Sequence, residues 1–239
     1  MQILLKMRPT QPLIIPYNYG YQLQSSLYAM LGEVGESDFW HDNGFGNITK
    51  YKCFCFGKLE GKYSLDTENK KICYDNSVYL EIRSPSFEFI DAFQRAIEKH
   101  PYLKLYNAQL NIIEASLSNL HLSSGNIIFE AITPVVAHTT FSDGHTHFFS
   151  PAEEEFAFRI NNNLLNKFEA MSGKESDEVH IIQYGVFKKT VTKYKNYYIT
   201  GYTGQFNVNT TIRMAEFIYN TGLGEKNSQG FGFVKVLGD

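Results

Sequence analysis

A chain of 239 residues, 43% apolar and 20% charged, has the balance of an ordinary globular protein. It is long enough for one large domain or two of roughly 100–150 residues. Its net charge of −3 does not mark a generally basic nucleic-acid binder, no apolar run reaches the length of a membrane span, and Lys6 and Arg8 sit in an alternating segment unlike a signal peptide.

Residues 2–8 alternate as a strand, with Ile3, Leu5 and Met7 on one face. Pro9, Pro12 and Pro16 interrupt regular structure. From Tyr19 to Val34 the positions Leu23, Leu27, Met30, Leu31 and Val34 recur at helical spacing, and Tyr28 falls at the edge of that stripe beside Gln24. A short helix capped by Ser37 is expected to Asp42, then a loop over 43–47. Lys52 to Leu59 is expected to be a strand, with Phe54 and Phe56 on one face. Further strands are expected over 62–66 and 77–82. Pro85 opens an amphipathic helix through Phe89, Ala92, Phe93, Ala96 and Ile97. Residues 103–105 and 108–117 return to strands. The three cysteines, Cys53, Cys55 and Cys73, are odd in number, and the first two share a strand face. They suit reduced thiols in the cytoplasm better than a disulfide frame, and a lone Cys-x-Cys is a poor zinc signal.

Residues 117–125, rich in Ser and Asn, have the composition of a linker. The plan then repeats: a strand over 127–132, a hairpin over 135–149 turning at Asp143-Gly144, and a helix starting at Ser150-Pro151 with Glu153 to Glu155 in its first turn. Strands are expected over 179–187, 193–200 and 202–207, then a helix over 210–219 and a last strand over 231–236. The class is therefore α+β, with two tandem ferredoxin-like (β-α-β-β-α-β) units over residues 1–118 and 126–239. The repeat is one of topology, with no residue-level repeat.

Between the last helix and strand runs Gly222-Leu223-Gly224-Glu225-Lys226-Asn227-Ser228-Gln229-Gly230-Phe231-Gly232, four glycines in eleven residues. Glycine accepts positive φ and allows close backbone approach, and arrays of exposed N–H groups bind anionic oxygens. The stretch is thus a candidate phosphate cradle. Helix–glycines–strand reverses the dinucleotide-binding order, and no Gly-Lys-Ser/Thr ends it, so nucleotide-cofactor and Walker loops are set aside. A helix C-cap explains Gly222 or Gly224 but not Gly230 and Gly232 as well. Just before it, residues 179–215 hold no acidic side chain but contain Lys188, Lys189, Lys193, Lys195 and Arg213, with Tyr184, Tyr194, Tyr197 and Tyr198 between them. Lysines fit phosphates and tyrosines can stack on bases, although a solvated hairpin face has the same composition.

The glycine-rich stretch closely resembles the C-terminal motif of the CRISPR repeat-RNA endoribonucleases, part of the repeat-associated RNA-binding superfamily. Ile15 to Tyr28 resembles that family's first-helix segment. Phe39-Trp40-His41-Asp42-Asn43-Gly44-Phe45 resembles its following histidine-containing helix, and Lys52-Cys53-Phe54-Cys55-Phe56 its Lys-x-Phe-x-aromatic strand. The likeness covers both ends of the chain; residues 65–175 match only in pattern.

The resemblance implies metal-independent cleavage of CRISPR precursor RNA within its repeats, releasing guide RNAs. An RNA 2′-hydroxyl attacks the adjacent phosphate and leaves 2′,3′-cyclic phosphate and 5′-hydroxyl ends. His41 matches the family's catalytic histidine, and an imidazole ionising near ~6.5 serves as base or acid at neutral pH. Lys52 matches a lysine that holds phosphate charge, and Tyr28 a tyrosine that assists in some members. From spacing alone, a histidine beside Trp40 is more often a surface or satisfied core residue, Tyr28 a packing aromatic and Lys52 a solvated strand end. The implied RNA-binding set is Lys188, Lys189, Lys193 and Lys195 with Gly222, Gly224, Lys226, Asn227, Ser228, Gln229, Gly230 and Gly232. No cofactor and no membrane partner are expected, and no metal. His138, His145 and His147 could meet across a hairpin, but no cysteine or paired carboxylate completes a site. Repeat RNA is the expected partner; further subunits of an interference complex and a second copy of the chain stay open. A non-cutting guide-RNA-binding subunit is the alternative.

Overall fold

The computed structural model describes residues 1–36 and 39–238; the side chains of Gln183 and Tyr184 lie outside the description. The first half contains strands β1 (Gln2–Pro9), β2 (Leu13–Pro16), β3 (Cys55–Phe56), β4 (Glu60–Asp66), β5 (Lys71–Arg83), β6 (Tyr102–Leu105) and β7 (Ala108–Ser118), with helices α1 (Gly20–Gly32) and α2 (Phe87–Lys99). These strands form one antiparallel sheet in the order β2-β5-β1-β7-β6, with β3 and β4 also pairing β5. Residues 119–125 carry neither helix nor strand.

The second half contains β8 (Asn126–Ala131), the hairpin β9 (His138–Thr140) and β10 (Thr146–Phe148), helix α3 (Glu154–Ser172), β11 (His180–Tyr194), β12 (Tyr197–Asn209), helix α4 (Ile212–Thr221) and β13 (Val234–Gly238). Its main sheet is antiparallel in the order β11-β12-β8-β13. In both halves the opening strand lies beside the closing one. Among the described residues, no helix is long and apolar enough to cross a membrane.

Sequence pattern explains each core. The alternation of β1 buries Ile3, Leu5 and Met7 completely. The stripe of α2 buries Phe89, Ile90, Ala92, Phe93 and Ala96, and Ser86 Oγ caps the helix by accepting from the Phe89 N–H at 3.2 Å. In the second half Phe129, Phe156, Ile160, Phe206, Val208 and Ile218 form an equivalent core.

The two halves meet over β3, which is buried on both faces. Phe54 and Phe56 join the first core. Cys55 Sγ donates instead to the Asn220 carbonyl at 3.6 Å, in the second half. Arg83, 1% exposed, donates to the carbonyl of Val234 at 2.7 Å and lies between the rings of Tyr219 and Phe233. Glu81 pairs with it at 2.6 Å, so the buried guanidinium is both neutralised and hydrogen-bonded.

Several expected elements are corrected. The strand over 52–59 shrinks to Cys55–Phe56 because Cys53 sits at φ 48°, which breaks the extended run. The last strand starts at Val234, not Phe231, because Gly232 at φ 67° keeps the preceding chain in the loop. The three strands expected over 179–207 are two long ones, turning at Lys195 (φ 52°), with a bulge absorbed at Gly185 (φ 77°). Helix α3 begins at Glu154: the Glu153 carboxylate accepts from the Ser150 N–H at 2.6 Å, and Ser150 does not cap the helix. The expected cap Ser37 lies outside the described residues, and the helical turn that follows is a wide π turn over Phe39–Asn43.

Candidate active site

The π turn positions His41. Its Gly44 N–H donates to the Phe39 carbonyl at 2.7 Å. Trp40 is 2% exposed and meets the Phe89 ring edge-on at 5.0 Å, so the turn is pinned to the core by one side chain while the next faces out. The His41 side chain is 62% exposed, and its Nδ1 lies 2.6 Å from Asp42 Oδ1. That contact favours the proton on Nδ1 and leaves Nε2 for a ligand.

Tyr28 reaches the same place from α1. Its ring meets His41 edge-on with centroids 4.9 Å apart, and Phe54 at 5.8 Å. Burial pushes the phenol up to about 12, against the opposing hydrogen bonds of the Ser228 and Gln24 side chains. Tyr28 is therefore a hydrogen-bond donor at neutral pH. Lys52 donates from Nζ to the Asn43 carbonyl at 3.2 Å, bracing the turn that carries His41. Burial holds its pKa below the usual lysine value, opposed by Asp42 and reinforced by Lys50.

These three side chains line one cleft of about 400 Å³ between the halves, joined by Gln24, Tyr194, Lys195, Ser228 and Gln229. The glycine-rich loop thus reaches the site through Ser228 and Gln229, on the short 3₁₀ turn Asn227–Gln229.

The glycines themselves do something other than the expected cradle. Gly222, Gly224, Gly230 and Gly232 all have positive φ, between 67° and 88°. A Cβ on Gly232 would lie 1.9 Å from the Leu223 carbonyl oxygen, and one on Gly224 2.5 Å from that of Val136. A Cβ on Gly230 would meet the Phe56 ring at 2.9 Å, across the boundary between the halves. The loop N–H groups of Leu223, Glu225, Gly230 and Gly232 donate to the carbonyls of Gly232, Val136, Asn227 and Pro134. These donors are spent within the protein, so close packing and not an open array of N–H groups requires glycine here.

Asn227 ties the loop together. Its Nδ2 donates to the carbonyls of Leu223 and Phe231 at 3.0 and 3.1 Å, and its Oδ1 accepts from Lys167 Nζ at 2.9 Å. Lys167, 3% exposed on α3, also donates to the Gly222 carbonyl at 3.1 Å. Burial pulls its pKa down to about 8. Lys226, at φ 61°, lines a smaller cavity of about 250 Å³ with Lys50, Lys52, Lys167 and Glu225. Burial lowers its pKa, and Glu225 opposes that shift.

The expected basic stripe divides. Lys188, Lys189 and Lys193 lie on the single strand β11 and Lys195 on its turn, not on adjoining strands. Strand alternation puts Lys188 on the side of Thr192 and Tyr194, which line the cavities between the halves, and sends Lys189 and Lys193 to the opposite side. Lys195 lines the cleft with Nζ 5.0 Å from the Tyr21 ring. The histidines of the second half take separate carboxylates: His138 binds Glu225, and His147 Nε2 lies 2.9 Å from Glu153. His145 stacks on Phe141 at 6.2 Å.

Sequence reasoning gave no role to Asp42, Lys58 or Lys167. Adjacency to His41 was the only signal for Asp42. Lys167 on a helix spaced like any other gave none, because its partners come from 55 and 60 residues away.

The chain is thus an α+β protein of two antiparallel sheets joined over a cleft. Residues 117–236 match the family model described as CRISPR associated protein Cas6, C-terminal. The chain is 27% identical over 243 residues to the CRISPR-associated endoribonuclease Cas6 1 of Methanocaldococcus jannaschii, an alignment covering 100% of this chain and 94% of that one. Among solved structures, the product of a Cas6-related gene from Pyrococcus furiosus superposes with TM-score 0.86 at 24% identity, covering 100% of this chain and 99% of that one. A protein described as a RAMP protein binding different RNA substrates superposes with TM-score 0.85 at 22% identity over 100% of both chains. The chain belongs to the Cas6 family, and its curated homologues include CRISPR-associated endoribonucleases.

Proposed function

We propose that this protein cuts CRISPR precursor RNA within its repeats, at the cleft formed by His41, Tyr28 and Lys52. The observation that carries this reading is the convergence of those three side chains, from three separate segments, on one cleft with Ser228 and Gln229. Together they supply what transesterification needs: a base, a neutral donor and a cation. His41 Nε2 takes the proton of the RNA 2′-hydroxyl, and the 2′-oxygen attacks the adjacent phosphorus. The bond from phosphorus to the 5′-oxygen breaks. Tyr28 donates to that departing oxygen, which leaves as a hydroxyl. Lys52 faces the charge that builds on the phosphoryl oxygens. The products are a 2′,3′-cyclic phosphate and a 5′-hydroxyl, and no divalent ion is required.

In this reading residues 1–118 and 126–239 are two ferredoxin-like domains. The strand orders β4-β5-β1-β7 and β11-β12-β8-β13, each with its first strand beside its last, support that assignment. The RNA lies along the seam between them, over Lys188, Lys195 and the loop residues Lys226, Ser228 and Gln229. Lys189 and Lys193, on the outer side of β11, are left to contacts beyond the cleft. Asn227 and the glycines shape the loop that presents its neighbours.

The test is to incubate the protein with repeat RNA from its own locus, in excess EDTA, and map the ends. Cleavage at one position with the stated ends, blocked by a 2′-deoxy substitution there, is expected. Cleavage restored only by added metal would overturn the mechanism. Tight binding without cleavage would favour a guide-RNA-holding subunit instead.

A further inference from the structure

Beside the cleft lies a second cavity of about 240 Å³, which shares Tyr21, Tyr194 and Gln229 with it. It is smaller than the ~300–1,000 Å³ pockets that take drug-sized ligands, and suits a single ring system. Its walls include the aromatic rings of Tyr17, Tyr21, Phe56 and Tyr194. They are held in place: Tyr21 meets Tyr194 edge-on at 5.3 Å, and the Tyr194 hydroxyl donates to Gln24.

One polar feature of this cavity has no use within the protein. Lys58 stands in its lining, and among the described residues no carboxylate pairs with Lys58 or with Lys188. Partial burial, and after it the neighbouring charge of Lys188, lowers the Lys58 pKa. Two like charges drawn to one place are unfavourable until an anion joins them.

We propose that this cavity receives one unstacked nucleobase of the RNA substrate, stacked on the Tyr21–Tyr194 wall, with its backbone phosphate between Lys58 and Lys188. The inference rests on the proposed cutting site next door, since the shared walls make this base a near neighbour of the scissile phosphate. Aromatic side chains and lysines together are the usual means of holding a single strand.

An abasic scan of the repeat RNA tests it. Wild-type affinity should fall about 5- to 150-fold at one position close to the cut and much less at the positions on either side. Thr192→Trp, on the β11 wall, fills the cavity. It should bind intact RNA as weakly as wild type binds that abasic RNA, and should lose nothing more when the base is removed. A second variant, Lys58→Ala with Lys188→Ala, should lower the salt slope of binding, and a methylphosphonate at the same nucleotide should make it behave like wild type. Cleavage by wild type with no position sensitive in this way would overturn the pocket and leave the cutting site standing. An abasic penalty that persists in full in Thr192→Trp would place the base elsewhere and also overturn it. Failure of wild type to bind repeat RNA would remove both.

Discussion

The two walls of the cleft are built in opposite ways. On the first-half wall, His41 stands 62% exposed on a five-residue turn, held by Trp40 beneath it and by Lys52 at its end. On the second-half wall, the glycine-rich loop is fixed by backbone bonds, by Asn227 and by a buried lysine. The imidazole that would take the proton sits on the lightly held side, and the loop residues that would help set the substrate's position sit on the over-determined side. A division of this kind lets a reacting imidazole adjust by small amounts while the phosphate stays in place.

The largest effect should come from the rigid wall. Gly232→Ala places a Cβ 1.9 Å from the Leu223 carbonyl oxygen, at φ 67°. No rotamer relieves a clash between backbone atoms, so loss of the folded state is expected. Gly173→Ala is the control: its φ is 65° but nothing lies within 4 Å of the added carbon, leaving only the conformational cost of ~1–2 kcal/mol. Thermal unfolding of both variants checks this. A Gly232→Ala protein that melts like Gly173→Ala would mean that the loop yields easily.

Next in size is His41→Ala on the lightly held wall. A positioned general base contributes ~10²–10⁴-fold, so single-turnover cleavage should fall by about that much. Affinity for repeat RNA should stay within a few-fold, because the proposed phosphate contacts are elsewhere. Asp42→Asn should give a smaller loss of cleavage, through the imidazole's tautomer. Cleavage by His41→Ala within a few-fold of wild type would remove the histidine from the chemistry.

Much of this arrangement was legible in the sequence, and the physical reasons for the exceptions are specific. The alternation of Ile3, Leu5 and Met7 and the stripe of α2 are local signals, and local signals placed most of the elements. The π turn was expected as a short helix, because Trp40 and His41 announce opposite faces but not the width of the turn. The glycine motif announced a closely packed loop but not what packs it: sequence shows that small residues are needed, not whether a ligand or the chain itself fills the space. Gly230 is small because Phe56 lies against it, and Phe56 is distant in sequence. The lysines of β11 were grouped by composition, and strand parity then separated Lys188 from Lys189. Lys167 was invisible, since a buried lysine on a helix differs from an exposed one only in its neighbours.

Strand parity itself can be broken or sharpened. Lys188→Ala with Lys195→Ala removes two charges from the cavity side, and Lys189→Ala with Lys193→Ala removes two from the outer side. Each lysine that neutralises a phosphate on a single strand adds ~0.7 to the salt slope of binding, so the first pair should lower that slope by roughly 1.4. The second pair should change it less. Equal slopes for the two double variants would show that the RNA does not distinguish the faces of β11.

The smallest effect concerns Lys167 and the pH dependence of stability. Its folded pKa is pulled down to about 8 by burial, while the unfolded chain returns it to the ordinary lysine value of 10.5. Below pH 8 the lysine is protonated in both states, and burying the ammonium costs a constant amount. Between about 8 and 10.5 the unfolded state holds the Lys167 proton more often than the folded one, so this lysine's contribution to stability rises with pH in that window. The neighbouring thiols act in the opposite direction: burial pushes Cys53 and Cys55 up from 9.0 to about 12, so both lower stability as pH rises above 9, in wild type and variant alike, and the Lys167 contribution is read from the gap between the two proteins. Lys167→Met removes the titration but leaves the carbonyl of Gly222 and the amide oxygen of Asn227 without their donor. The variant should therefore be less stable than wild type at pH 7, and the gap should widen from pH 8 to 10. Urea unfolding of both proteins across that range is the measurement. A gap that stays flat would mean that Lys167 titrates normally, and that the loop is held by its backbone bonds and Asn227 alone.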